Sequence, residues 1–274
     1  MPEFIKITRE GHLTLVTFAR AQGLNILSSA VLTELGEAWT FFEKDGQTRV
    51  VLFSGEGKVF LAGADIKEMA ALHPQGALDL ATKGQQLFQR IEHSPIISIA
   101  ALHGAALGGG CELAIACDIR VASDDLKIGL PEVNLGLVPG FGGTQRLPRL
   151  IGMSRALRMI LSGEPILAAQ ALQYGLVTEV VPGDQLLPTA KKIAETILAK
   201  GPQAVAMAKQ LIHTALQGNH EVGFDKERKN FYKAFQTGEG GEGLKAFLEK
   251  RPANFEKRQP EYKAGSSVNL RIIQ

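Results

Sequence analysis

Ile96-Ile-Ser-Ile-Ala-Ala-Leu102, Ala106-Leu107-Gly108-Gly109-Gly110-Cys111-Glu112 and Leu113-Ala-Ile-Ala-Cys117 read in succession as a buried strand, a glycine turn and a helix. Strand, tight turn and helix in that order predict an α/β fold. Glu112 falls in the first helical turn, where the helix dipole favours a negative charge and the first N–H groups have no intrahelical acceptor. The glycines before it leave backbone donors open to a ligand and permit the backbone angles such a turn needs.

A second acid, in Leu130-Pro131-Glu132, follows Glu112 by twenty positions. Together they make a paired acid/base site the leading expectation. Lys58-Val-Phe-Leu-Ala-Gly-Ala64-Asp65-Ile66-Lys67-Glu68-Met69 follows a further strand-like run, Val50 to Phe53, and can supply a second N–H. Two N–H groups aimed at one carbonyl oxygen form an oxyanion hole, and losing one such donor costs about 3–4 kcal/mol of transition-state stabilisation.

These segments, with Arg20 and Asn25, His103-Gly-Ala-Ala106, Leu137-Val-Pro-Gly-Phe-Gly-Gly-Thr-Gln-Arg-Leu147 and Phe247-Leu-Glu-Lys250-Arg251-Pro-Ala-Asn-Phe255, resemble the crotonase superfamily and, within it, the enoyl-CoA hydratases. The likeness runs to about residue 258. It implies a spiral of ββα turns with a C-terminal helical trimerisation module, assembled as a trimer or a dimer of trimers. It also implies water addition to a trans-2-enoyl-CoA, giving a 3-hydroxyacyl-CoA.

By the same resemblance Ala64 and Gly109 supply the oxyanion-hole N–H groups, and Glu112 and Glu132 grip the catalytic water. Gly140 lies beside that water, Asp65, Ile66 and Lys67 belong to the segment along the CoA channel, and Phe247 and Lys250 reach CoA on a neighbouring subunit. No cofactor is implied, since coenzyme A is part of the substrate. Two close carboxylates raise each other's pKa, so one can be acid while the other is base. Our assignment gives Glu132 the C2 proton and Glu112 the water, although a shared water makes the roles partly interchangeable. Double-bond isomerases of the superfamily manage with one carboxylate at the Glu132 position, and dienoyl-CoA isomerases carry an aspartate where this chain has Gly140. One departure is the stretch Ala21-Gln22-Gly23, which lacks the basic residue many hydratases have there. Some crotonase-like proteins bind RNA, which keeps a non-enzymatic role as the alternative.

Other motifs read as structure. The triple glycine lacks the lysine and serine or threonine of a phosphate loop. Gly152-Met-Ser154-Arg-Ala156 lacks the final glycine of a nucleophile elbow, and Ser154 reads as the N-cap of a helix over Arg155–Leu161. Cys111 and Cys117 have no histidine at metal spacing and read as small buried side chains, and His103 as a structural histidine.

Composition fits. The 274 residues are 45% hydrophobic and 21% charged with a net charge of +2, so a substantial core is available and no basic stripe announces nucleic acid. Two cysteines make no disulfide framework, the chain opens without a signal-peptide pattern, and its longest apolar segment, Ile96 to Leu107, is too short to span a bilayer. A bacterial cytoplasm, or an organelle matrix after processing, is expected.

Alternation over Ile5–Phe18 predicts two strands joined at Glu10-Gly11, with a helix over Ala30–Lys44 and another over about Ala77–Glu92. Strands are expected at Ile119–Ala122 and Lys127–Gly129. Helical signals dominate from Ser154 through Ala168–Gln173, Leu186–Lys200, Pro202–Gln217 and His220–Phe235. A boundary near 195–202 divides a core, 1–198, from a helical oligomerisation module, 199–258, with 259–274 a tail.

Overall fold

The computed structural model describes residues 4–19, 24–215 and 220–255; Arg20, the stretch Ala21-Gln22-Gly23 and the tail lie outside them. The strands are β1 (Ile5–Glu10), β2 (Leu13–Phe18), β3 (Val50–Gly55), β4 (Ile97–Leu102), β5 (Ala105–Leu107), β6 (Ile119–Ser123), β7 (Lys127–Gly129), β8 (Ile166–Leu167) and β9 (Glu179–Val181). The helices are α1 (Ser29–Asp45), α2 (Ile66–Ala70), α3 (Pro74–His93), α4 (Gly109–Ala116), α5 (Gly143–Ile151), α6 (Met153–Ser162), α7 (Ala168–Gln173), α8 (Leu186–Leu198), α9 (Pro202–Ala215), α10 (His220–Gln236) and α11 (Glu239–Leu248).

A six-stranded sheet runs β1-β2-β3-β4-β6-β9, parallel except for the β1-β2 hairpin. Its inner strands are apolar on both faces because both faces are covered. Val51 and Phe53 of β3 and Ala100 and Leu102 of β4 join one core with α1, α3 and α4. Val50, Leu52, Ile97, Ile99 and Ala101 point the other way and meet Leu186, Ala190 and Ala194 of α8. The first core is centred on α1, whose Val31, Leu32, Leu35, Ala38, Trp39 and Phe42 are buried at helical spacing. Ser28 caps that helix, accepting from the Val31 N–H, and Gly46 ends it in the left-handed region at φ 64°.

The second, smaller sheet runs β5-β7-β8. Segment 60–62 pairs along β5, with Leu61 donating to the Ala105 carbonyl and Leu107 to that of Leu61. This brings the loop ending at Ala64 beside the N-terminus of α4.

Beyond α8 the chain continues in helices. Lys209 of α9 is buried and donates to the Ile96 carbonyl while pairing with Asp118 at 2.8 Å, which ties α9 to the main sheet. Glu239 of α11 is also buried, and its carboxylate accepts from Gln203 and Ala204 at the start of α9. Helix α10 buries none of its side chains.

Several expected boundaries shift. Helix α3 begins at Pro74 because His73 caps it through the Gly76 N–H, and α2 forms as a separate short turn capped by Asp65. Ser154 lies inside α6 and is not its cap; that position belongs to Gly152, whose φ of 83° turns the chain out of α5. Strand β8 and β9 and helices α5 and α11 have no counterpart in the sequence-based element assignment.

Candidate active site

Helix α4 is the foundation. All eight of its residues are buried, Glu112 included, and its N-cap Gly108 sits at φ 51°, ψ −124°, a conformation that demands glycine. Gly110 permits close docking, since a Cβ there would lie 2.5 Å from the Leu61 carbonyl oxygen. Gly109 opens the helix, so its N–H is a first-turn donor without an intrahelical acceptor.

Glu112 reaches from this helix to the loop that precedes α5. Its Oε1 accepts from the Phe141 and Gly143 N–H groups, both at 2.8 Å. Gly143 must be glycine for that approach, because a Cβ would come within 3.1 Å of Oε1 and 2.7 Å of Leu130 Cδ1. Burial pushes the Glu112 pKa up to about 7; the two N–H bonds and the more distant Arg146 oppose the rise, and the charge of Glu132 adds to it.

Glu132 begins a 3-10 turn, Glu132–Leu135, immediately after β7 and Pro131. Its Oε2 is buried and makes no hydrogen bond to the protein. Burial raises its pKa as well. The carboxylate lies so close to the α4 cap that a Cβ on Gly108 would be 3.1 Å from Oε1.

One cavity of about 240 Å³ gathers Ala64, Gly109, Glu112, Glu132 and Gly140. Its remaining wall is largely apolar, including Met69, Leu72, Leu80, Leu137 and Phe141. The sequence therefore led to five residues that the fold places around one space. Ile66 lines it too, half exposed at 53%. Asp65 is engaged elsewhere, accepting from the Lys67 and Glu68 N–H groups as the cap of α2. Lys67, Phe247 and Lys250 are exposed and do not line the cavity.

The sequence reading missed the residues that hold Glu112. Phe141 and Gly143 act through backbone groups, and the only signal for them was the glycine-rich stretch Gly140–Gly143 itself. His103 is structural, with Nε2 3.2 Å from the Gly57 carbonyl oxygen, and Cys111 and Cys117 are buried thiols.

A buried carboxyl, Glu112, and a half-buried one, Glu132, both of raised pKa and beside backbone donors, suit proton transfer next to a carbonyl whose oxygen takes up negative charge. Residues 8–258 match the family model described as Enoyl-CoA hydratase/isomerase. This chain belongs to the enoyl-CoA hydratase/isomerase family. Among its relatives, a probable enoyl-CoA hydratase of Bacillus subtilis is 46% identical over 235 residues, 84% of this chain and 90% of that protein. A crotonyl-CoA hydratase of Syntrophomonas wolfei is 41% identical, covering 92% of this chain and 98% of its own. The crystal structure of enoyl-CoA hydratase from Bacillus anthracis superimposes with a TM-score of 0.90 at 39% identity, over 93% of this chain and 100% of that one. This member of the family therefore has the fold of the solved hydratases along nearly all its length.

Proposed function

We propose that the chain catalyses the reversible addition of water to a trans-2-enoyl-CoA, yielding a 3-hydroxyacyl-CoA, with coenzyme A entering as part of the substrate and no separate cofactor. The observation that carries this reading is the pair Glu112 and Glu132 on one cavity wall that also holds the leading turn of α4. A double-bond isomerase needs one proton-transferring group; hydration uses two, one at water and one at C2.

In this scheme the thioester oxygen is held by the N–H groups of Ala64 and Gly109, so that negative charge developing on it as C3 is attacked meets fixed donors. Glu112, with Oε1 occupied by two N–H groups that favour its carboxylate form, takes a proton from water. Glu132, with a buried oxygen unpaired by protein, delivers the proton to C2. Gly140 borders the water, and the apolar wall takes the acyl chain.

Lys67, Phe247 and Lys250 belong to CoA recognition in this reading, Phe247 and Lys250 acting on a neighbouring subunit's substrate. Their exposure, away from their own chain's cavity, supports that arrangement. The same reading makes residues 1–198 the catalytic core and 199–258 an oligomerisation module of a trimer or a dimer of trimers. Two buried free thiols suit a reducing compartment such as the cytoplasm, and among the described residues no helix is long and apolar enough to cross a membrane.

The test is loss of the conjugated enoyl-thioester absorbance of crotonyl-CoA on adding protein, with Glu112→Ala and Glu132→Ala beside wild type. Rapid loss in wild type alone establishes two-carboxylate hydration. An unchanged absorbance would remove hydration of this substrate and direct the assay to isomerisation of a 3-enoyl-CoA.

A further inference from the structure

We infer that Arg146, which lies outside the cavity, is a positioning residue that holds Glu112 in its working orientation through the loop Gly140–Gly143. The inference rests on the hydration reading for its effect on turnover and on the hydrogen-bond network for its geometry.

Glu112 is oriented entirely by backbone donors of that loop, at Phe141 and Gly143. A loop can orient a side chain only as firmly as the loop itself is held. Helix α3 holds it twice. Gln85 Nε2 donates to the Gly140 carbonyl at 2.8 Å, and this carbonyl belongs to the same peptide group as the Phe141 N–H, so the bond polarises that donor toward Glu112. Further along α3, Glu92 Oε2 accepts from Arg146 Nε at 2.9 Å, while Arg146 Nη1 donates to the Phe141 carbonyl at 2.9 Å. The guanidinium thus bridges the last turn of α3 to the middle of the loop.

The local sequence is shaped around this bridge. Gly142 has φ 108°, which favours glycine, and a Cβ on it would fall 2.3 Å from Arg146 Nη1, so any side chain there would displace the guanidinium from the loop. The Arg146 side chain is 11% exposed and Glu92 23% exposed, which makes this a shielded pair unlike the solvated ion pairs of α10. Lysine could not reproduce it, because one ammonium lacks the planar fork that serves a carboxylate and a carbonyl together.

The charges facing this network are few. Glu112 is met by Glu132, by Arg146 at longer range and by the thiol of Cys111. The cleft on the far side of Phe141, into which Arg146 faces, also carries Glu92 and His93 from α3, Arg149 from α5 and His213 from α9. Arg146 opposes the burial-driven rise at Glu112, so removing its charge makes the carboxyl hold its proton to a higher pH.

The experiment compares wild type with Arg146→Met, Arg146→Lys and Glu92→Gln, reading kcat and KM for crotonyl-CoA across pH. The Glu112 carboxyl is titrated in parallel by carbon-13 NMR, with its signal assigned by its loss in Glu112→Gln. Arg146→Met is expected to lower kcat by about 10- to 100-fold with little change in KM, and to move the Glu112 titration upward. Arg146→Lys should restore the titration but only part of kcat. Glu92→Gln, which leaves the arginine in place, should show a smaller loss and carries the test if Arg146→Met does not fold. An unmoved Glu112 titration, or a kcat that falls only with the fraction of folded protein, overturns the inference. Inactive wild type would sink the hydration reading instead, and the titration alone would then decide the role of Arg146.

Discussion

At the scale of single residues, Glu112 trades stability for chemistry. Its pKa stands at about 7 because burial penalises the carboxylate more than the Phe141 and Gly143 N–H groups favour it. The folded protein therefore holds this proton to a higher pH than the unfolded chain does. The contribution to stability is complete below the ordinary carboxylate pKa and is lost as pH rises through about 7. Glu112→Gln keeps an oxygen for the two N–H groups and removes the charge, so it should be inactive yet more stable than wild type above pH 7 by roughly 1–3 kcal/mol. Thermal melts of both proteins over a pH series check this: the difference should shrink toward acid pH, and a gap independent of pH would show that ionisation of Glu112 does not limit stability. The glutamate itself was legible in the sequence, because its place after three glycines is a local pattern. Its support was not, since Arg146 and Gln85 come to the loop from helices whose contact is tertiary.

At the scale of elements, α4 delivers a donor and a carboxylate from one turn. Its first N–H belongs to Gly109 and its fourth residue is Glu112, so the spacing between that donor and the carboxylate is set by helix geometry. Gly109→Pro separates these contributions, because proline is tolerated at a helix start but has no N–H. Gly109→Ala is the control that keeps the donor; its Cβ would approach Leu27 Cδ2 at 3.0 Å and the Phe141 ring at 3.1 Å, so it bears the crowding alone. The proline variant should lose about 10²–10³-fold in kcat beyond the alanine variant. Equal turnover in the two would place the thioester oxygen away from Gly109. Strands β3 and β4 were readable because burial on both faces writes a continuous apolar run, and helix α1 because one buried stripe writes a helical period. Helix α5 was not, since its start is dictated by the glycine loop and its sequence includes Pro148. The misplaced cap of α6 has a similar cause: Ser154 has a capping side chain, but Gly152 has the backbone angle the corner needs.

At the scale of the whole molecule, the C-terminal helices carry apolar surface that stands exposed among the described residues. Phe231, Tyr232 and Phe235 of α10 are 69%, 66% and 54% exposed, and Phe247 and Leu248 at the end of α11 are 81% and 80% exposed. The Phe231 and Phe235 rings stack edge to face at 5.3 Å, so they present one continuous face. Clustered aromatic exposure of this kind marks an interaction surface, and the proposed assembly assigns it to further copies of the chain. Phe231→Asp combined with Phe235→Asp should then lower the mass seen by sedimentation from an oligomer to the single chain. Phe247→Ala tests a different consequence, because a side chain that grips CoA on a neighbour contributes to binding without touching the reacting carbons. Its KM for crotonyl-CoA should rise several-fold while kcat holds within about threefold, with the oligomer intact. Wild type sedimenting as a single chain would remove the assembly. An unchanged KM in Phe247→Ala, in an oligomer that persists, would remove Phe247 from the CoA site and leave that residue to the subunit contact alone.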